Sequence, residues 1–109
     1  MKTIENTIAT VHIGGRQHVC PQEVIVLIAE INYTIVHFSD GHKTIVATSL
    51  KYLEERFHDC NFFRTHRSYV VNLNYIEKFR HSSVLLSNGQ EIEVSRRRKV
   101  AFQNAINKF

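Results

Sequence analysis

The sequence predicts a mainly β fold with minor α content, built from small antiparallel sheets and hairpins. Turn-forming pairs that contain Gly separate short segments rich in β-branched and aromatic residues, a pattern typical of hairpins. Only two segments, one in the middle of the chain and one at its C-terminus, space their apolar residues as a helix does. With 109 residues, of which 43% are apolar, the chain suits one domain over residues 1–109 with a single core.

The N-terminal segment is predicted to form a hairpin followed by a buried strand. Thr7 to Ile13 has the residue types of a strand, Gly14-Gly15 suits a two-residue turn, and Arg16 to Cys20 provides the returning strand. Pro21 pre-sets the backbone for a single helical turn. Val24 to Ile31 reads as an apolar strand that is buried on both faces, so we expect it to be central in its sheet.

A second hairpin and a helix are predicted next. Tyr33 to Phe38 and Lys43 to Ala47 pair around Asp40-Gly41, which suits a type I′ turn because both residues tolerate positive φ. Thr48 or Ser49 can cap the helix that follows. The inner face of this helix carries apolar residues at i, i+3 and i+7, namely Leu50, Leu53 and Phe57.

Two strands rich in aromatic and β-branched residues come after the helix. Phe62 to Thr65 and Tyr69 to Leu73 fit a half-buried pleated surface. The exposed join between them consists of His66, Arg67 and Ser68. Asn72 follows two valines within a strand and is therefore predicted to be a structural hydrogen-bonding residue. His66 is either packed among its neighbours or a contact for a ligand.

The C-terminal third is predicted to contain three strands and the second helix. Tyr75 to Arg80 is the first strand, and the other two form a hairpin around Asn88-Gly89. Alternation in that hairpin points four residues to the core: Val84, Leu86, Ile92 and Val94. Ser95 can cap the last helix, whose core-facing stripe comprises Phe102, Ala105, Ile106 and Phe109.

Positive charge is concentrated in the second half of the chain. Residues 1–63 contain five Lys and Arg against seven Asp and Glu, whereas residues 64–109 contain nine against three. The last predicted helix opens with Arg96, Arg97, Arg98 and Lys99, where cations oppose the helix dipole. A bound phosphate would remove this conflict and would also meet free backbone N–H groups. The charge pattern therefore indicates a polyanionic partner, either nucleic acid or membrane phosphate.

The residues HRSYVVNLNYI, followed by an NG hairpin and VSRRRKV, resemble the LytTR family of bacterial DNA-binding domains. The preceding segment VLIAEINYTIVHFSDGHKTIVATSLKYLEERF is similar to the upstream half of the same family. The resemblance implies an elongated, mostly β fold that reads duplex DNA through loops, commonly as the output domain of response regulators and other cytoplasmic transcription factors. Carried onto this sequence, the family's DNA-facing positions are Asn32, Tyr33, His66, Arg67, Ser68, Arg96 and Arg97.

The chemistry of these residues supports roles in base reading and in phosphate contact. Arginine can donate two hydrogen bonds to guanine, which makes Arg67 and either Arg96 or Arg97 candidates for base reading, and Asn can pair with adenine. The flanking cations would contact phosphate and set the register on DNA, namely Arg64, Lys78, Arg98 and Lys99.

Other function classes find less support in the sequence. An enzyme could be built on His66 with Ser68, or on Cys60 with a nearby His, but the motif region supplies no orienting carboxylate and no Gly-rich phosphate loop. The seven His lack zinc-ligand spacing, so neither a metal nor a cofactor is expected. A basic module that binds RNA or an acidic protein is the alternative, although RNA readers usually expose stacking aromatics. Neither a membrane span nor a signal peptide is predicted, so we expect a cytoplasmic protein.

The mode of assembly and control is a further expectation. Two copies are expected to bind direct repeats and to associate with each other on DNA, because no heptad or large apolar patch predicts a two-fold dimer. No receiver or sensor segment precedes the domain in this sequence, so control is left to abundance, to self-association or to a separate regulatory protein. Whether the chain acts alone or is an excised piece stays open.

Overall fold

The computed structural model describes residues 9–109 and consists of three antiparallel sheets and two helices. The strands and helices are β1 (Val11–Gly14), β2 (Gln17–Val19), β3 (Val24–Ala29), β4 (Thr34–Phe38), β5 (Lys43–Val46), α1 (Leu50–Arg56), β6 (Phe62–His66), β7 (Tyr69–Asn72), β8 (Ile76–Arg80), β9 (Ser83–Leu86), β10 (Glu91–Glu93) and α2 (Lys99–Lys108). Three single 3₁₀ turns stand between these elements, at Pro21–Glu23, Leu73–Tyr75 and Arg96–Arg98. The predicted fold class is therefore confirmed.

The central sheet has the strand order β5-β4-β3-β7-β6. As predicted, β3 is central, because it pairs with β4 on one side and with β7 on the other. A bulge in β3 lies between Val24 and Val26, and the strand places Val24 and Leu27 toward one core and Ile25 and Val26 toward the other. The prediction that the strand continues to Ile31 is wrong, since Ile31 is 96% exposed and lies beyond the strand end at Ala29.

Two buried clusters flank this sheet, where the sequence predicted a single core. The first is covered by the β1-β2 hairpin and by α1, and the predicted inner face is confirmed: Leu50 and Leu53 of the helix and Phe57, its C-cap, are buried. The second is covered by the three-stranded sheet, of order β10-β9-β8, and by α2. Burial of both sheet faces explains why β3 is apolar at consecutive positions rather than at alternate ones.

The hairpin turns differ in detail from the predicted ones. Gly14 pairs with Gln17 and belongs to β1, so the first turn is Gly15-Arg16, and the earlier part of the predicted strand, Thr7 and Ile8, lies outside the described residues. Phe38 N–H donates to His42 O at 2.9 Å and so closes the β4-β5 hairpin over a three-residue loop, residues 39–41. Gly41 alone has positive φ (96°) in this loop, so the turn is not type I′. Asp40 Oδ1 accepts a hydrogen bond from the His42 backbone N–H at 3.0 Å, which stabilises this longer loop.

The C-terminal hairpin and helix carry the second core. Its four predicted residues are all buried: Val84, Leu86, Ile92 and Val94. Phe102 is completely buried in α2, and its ring lies 5.2 Å from that of Phe63 in β6 and 4.9 Å from that of Phe79 in β8. Phe109 was predicted to continue this stripe, but it is 57% exposed because α2 ends at Lys108 and carries the last residue past the core.

Candidate nucleic-acid interface

The first predicted loop is the tip of the β3-β4 hairpin. A backbone hydrogen bond of 2.7 Å from Glu30 N–H to Tyr33 O closes this loop and leaves Ile31 and Asn32 at its apex. Asn32 is exposed, and Tyr33 is 41% exposed. The two predicted residues of this loop therefore present their polar groups to solvent from a hairpin that is fixed at its base.

The second predicted segment is the turn between β6 and β7. Arg67 and Ser68 form the turn, whereas His66 is the last residue of β6. Arg67 is exposed, but Ser68 and His66 are half-buried, so this segment offers one fully accessible side chain rather than three. The Ser68 backbone N–H donates to His66 Nδ1 at 3.1 Å, which places the proton of the neutral ring on Nε2, 3.9 Å from Glu93 Oε1. His66 thus caps the turn internally.

Arg64 lies beneath the same turn and is largely occupied by protein partners. Its Nε donates to His66 O at 3.3 Å and its Nη2 to Arg67 O at 2.6 Å. Its Nη1 forms an ion pair of 3.1 Å with Glu54 Oε1 in α1, and the Arg64 side chain is only 18% exposed. Charge and position in the sequence predicted a phosphate contact for Arg64, but these contacts favour an internal role.

The third predicted segment is the 3₁₀ turn Arg96–Arg98, which precedes α2. The prediction that the basic run opens the helix is wrong for the three arginines, because α2 begins only at Lys99. Ser95 is the N-cap of the 3₁₀ turn through its backbone, since its carbonyl accepts from Arg98 N–H at 3.0 Å and its side chain makes no capping bond. Arg96 and Arg97 are exposed, and Arg98 is half-buried, with Nη1 3.3 Å from Arg64 O.

Short hydrogen bonds join the three segments to one another. Ala29 N–H, at the base of the first loop, donates to Ser68 O at 2.8 Å, and Ser95 N–H donates to Thr65 O at 2.8 Å. The Thr65 hydroxyl, which is completely buried, donates to Glu93 O at 2.9 Å. The loops are therefore anchored on the ends of β6 and β7 at fixed separations.

Two adjoining surface hollows bring the predicted residues together. The first is bordered by the tip of the β3-β4 hairpin and by α1, and it includes Asn32, Tyr33 and Lys51. The second is bordered by the basic 3₁₀ turn and includes His66, Arg97 and Arg98. Arg64 and Arg67 line both hollows, so they form one continuous surface. Arg97 borders the second hollow, whereas Arg96, which is also exposed, lines neither hollow.

The remaining predicted phosphate contacts lie away from the two hollows. Lys78 lines a separate hollow on the three-stranded sheet, together with Arg80 and His81. Lys99 is half-buried at the first position of α2. Positive charge is therefore also present on the three-stranded sheet and on α2, although these two lysines do not border the two hollows.

Several residues of the interface have no recognisable signature in the sequence. Glu54 and Arg64 meet only because α1 packs beside β6, and a ten-residue separation outside a single helix has no local signature. Thr65 and Glu93 are polar residues in short strands, and such residues ordinarily indicate a solvated face. Lys51 is exposed on α1, where a lysine ordinarily indicates only a solvated face, but it borders the first hollow. Over residues 9–109, no three His, Cys, Asp or Glu side chains are grouped closely enough to hold a metal ion.

Comparisons with known proteins find relatives of both the sequence and the fold. Residues 15–107 match the family described as the LytTr DNA-binding domain. The transcriptional regulatory protein LytR of Staphylococcus aureus strains MW2 and N315 is 30% identical over 91 residues, which covers 79% of this chain and 37% of each relative. The chain thus spans little more than a third of the length of those relatives. A solved LytTr DNA-binding domain from Bacillus cereus superposes with a TM-score of 0.71 and 27% identity, covering 90% of this chain and 94% of that one.

Proposed function

The chain belongs to the LytTR family of DNA-binding domains, and from this membership we propose that it recognises a specific duplex sequence as the DNA-binding part of a bacterial transcriptional regulator. The single observation that carries the proposal is the continuous surface that Arg64 and Arg67 share between the two hollows. Three separate loops contribute to that surface, as expected for a protein that reads DNA without a recognition helix.

The roles of individual residues follow from exposure and donor geometry. Arg67 and Arg97 are exposed guanidinium groups that can donate two bonds to guanine O6 and N7 in the major groove. Asn32 can make the corresponding bidentate contact with adenine. Tyr33 and Ser68 are secondary candidates for base contact, and His66 supports the turn from within. Arg98, Lys99 and Lys78 would contact phosphate and fix the register, since such contacts carry no sequence information.

The membrane and RNA alternatives make different predictions from duplex recognition. Over residues 9–109, the structure contains no helix that is both long and apolar enough to cross a bilayer. Membrane phosphate could still attract the basic half of the chain at its surface. An RNA reader would stack unpaired bases on aromatic side chains, whereas most aromatic residues here pack in the cores, apart from Tyr33, Tyr52 and Phe109. Duplex DNA is therefore the partner that the surface favours.

A binding experiment tests the proposal. We expect selection from a random duplex library to return a defined site, and the slope of log K against log salt to be steeper than about −3, because several phosphates are neutralised. The same salt series with single-stranded RNA and with phosphatidylserine vesicles provides the comparison. Salt-insensitive binding, or tighter binding to either competitor than to the selected duplex, would contradict the proposal.

A further inference from the structure

Arg64 holds the two peptide groups that flank Arg67. One of its hydrogen bonds goes to the carbonyl of His66 and another to the carbonyl of Arg67. These carbonyls belong to the peptide units immediately before and after the Arg67 Cα. Fixing both units fixes φ and ψ of Arg67, and hence the direction in which its side chain leaves the backbone.

Glu54 completes this support from a different element. Its carboxylate accepts a hydrogen bond of 3.1 Å from Arg64 Nη1, the third donor of the guanidinium. Glu54 on α1 therefore holds the guanidinium in the plane from which it reaches both carbonyls. A planar group with donors in a fixed fork is suited to this task, and a lysine could not reproduce it. The ion pair also offsets the charge of Arg64, which leaves less of that charge available to a phosphate.

We infer that Arg64 and Glu54 are positioning residues that aim Arg67 at its base, and that Arg64 is not a phosphate contact. The inference rests on the proposed function, because it assumes that Arg67 reads a base. It goes beyond the proposed function because it makes an acidic residue, Glu54, necessary for sequence preference, although an acidic residue repels DNA. It also assigns α1 a part in recognition, although none of its residues was predicted to have one.

The pair Glu54→Gln and Glu55→Gln separates positioning from simple electrostatics. Both variants remove one negative charge from adjacent residues of α1, and Glu55 is exposed. If only charge mattered, both would bind all duplexes more tightly. We expect Glu54→Gln instead to lower the preference for the selected duplex over a shuffled one about tenfold, as when one member of a hydrogen-bonded network is removed. Glu55→Gln should keep the preference of the unmodified chain.

An Arg67→Ala background shows whether the effect passes through Arg67. Once the reading side chain is gone, Glu54→Gln should cause no further loss of preference. An equal loss in both backgrounds would overturn the inference. In the charge-balanced double variant Glu54→Gln with Arg64→Gln, the salt slope on shuffled DNA should be unchanged, whereas loss of a phosphate contact would make it shallower by about one. Arg64→Lys should show the same duplex preference and the same salt slope as the double variant, although it retains the positive charge.

A measurement without DNA keeps the two proposals distinguishable. The Ser68 backbone N–H lies in the supported turn, so its hydrogen exchange reports how often the turn opens. We expect Glu54→Gln to raise that exchange rate about tenfold and Glu55→Gln to leave it unchanged. If the unmodified chain showed no preference among duplexes, the proposed function would be wrong. The exchange rate of the Ser68 N–H would still show whether Glu54 supports the turn. Unchanged exchange in Glu54→Gln would overturn the positioning role.

Discussion

At the scale of single residues, exposure distinguishes the arginines that we propose to read bases from the arginine that we infer to hold a loop. Arg67 and Arg97 are exposed on the shared surface, whereas the guanidinium of Arg64, three residues before Arg67, is bonded to groups within the domain. Asn72 illustrates the same division among amides. It is 1% exposed, its Nδ2 donates to Val24 O at 2.8 Å and its Oδ1 accepts from Asn74 N–H at 2.9 Å, so its predicted structural role is confirmed.

Replacing Arg67 and Lys99 by Ala should separate base reading from phosphate contact. Arg67→Ala is expected to cost about 1–3 kcal/mol on the selected duplex and to relax the preference at one base position, because a bidentate contact is lost. Lys99→Ala should weaken binding to selected and shuffled duplexes alike and make the salt slope shallower by about one. Titrations of both duplexes over a salt series measure these effects. Uniform weakening by both variants would show that Arg67 does not read a base.

The residue types of the site could be predicted from the sequence, but their accessibility could not. Arg67 follows His66 in a turn between two recognisable strands, so its exposure had a local signal. Arg64 looked equally available, because its partner Glu54 and the carbonyls it holds come together only when α1 packs beside β6. Arg96 and Arg97 were equivalent in sequence, and only the 3₁₀ turn distinguishes the residue that faces the hollow.

At the scale of elements, hairpins were predictable in position but not in turn geometry. Both hairpins with an Asx-Gly pair form three-residue loops, in which the Asx side chain accepts from the backbone N–H two residues on, at 3.0 Å in each. That local bond stabilises a loop one residue longer than a type I′ turn. The buried face of the C-terminal helix was also predicted correctly, except that Phe109 lies beyond the part of the helix that packs against the core.

The two phenylalanines of the C-terminal helix should differ sharply in their effect on stability. Phe102→Ala removes a completely buried ring between Phe63 and Phe79 and should lower the free energy of unfolding by about 3–5 kcal/mol. Phe109→Ala alters a side chain that is 57% exposed, so it should change the free energy of unfolding by less than about 0.5 kcal/mol. Urea denaturation followed by circular dichroism measures both. Comparable losses in the two variants would mean that Phe109 packs against the core after all.

At the scale of the whole molecule, the central sheet with a core on each face presents its three loops on one continuous surface. The longest dimension of the domain is 41 Å, whereas one helical turn of duplex DNA spans about 34–36 Å. One domain can therefore cover about one turn. The large apolar side chains that are exposed are spread over different elements, with Ile45 on β5, Tyr52 on α1 and Val100 on α2. That two copies bind as a head-to-tail pair rather than as a two-fold dimer remains a prediction from the sequence.

Repeat spacing tests that arrangement. Two copies on direct repeats should bind cooperatively when their separation is increased by about 10 base pairs, because both stay on the same face of the duplex. An increase of about five base pairs should abolish cooperativity, since it rotates one copy to the opposite face. Footprinting on duplexes with zero, five and ten inserted base pairs provides the measurement. A preference for inverted half-sites, with the same half-site affinity, would contradict the head-to-tail arrangement.

The backbone hydrogen bonds between the loops bear on how such a domain changes its target over evolutionary time. Ala29 with Ser68, and Ser95 with Thr65, are joined through main-chain atoms, so these links do not depend on which side chains the loop tips carry. Substitutions at exposed tip residues such as Asn32, Arg67 or Arg97 cost little stability. Under the proposed function, we therefore expect the scaffold to set the intervals between the recognised bases, while the identity of each base can change independently. Descendants of one ancestral domain would share a spacing long after they had ceased to share a target sequence.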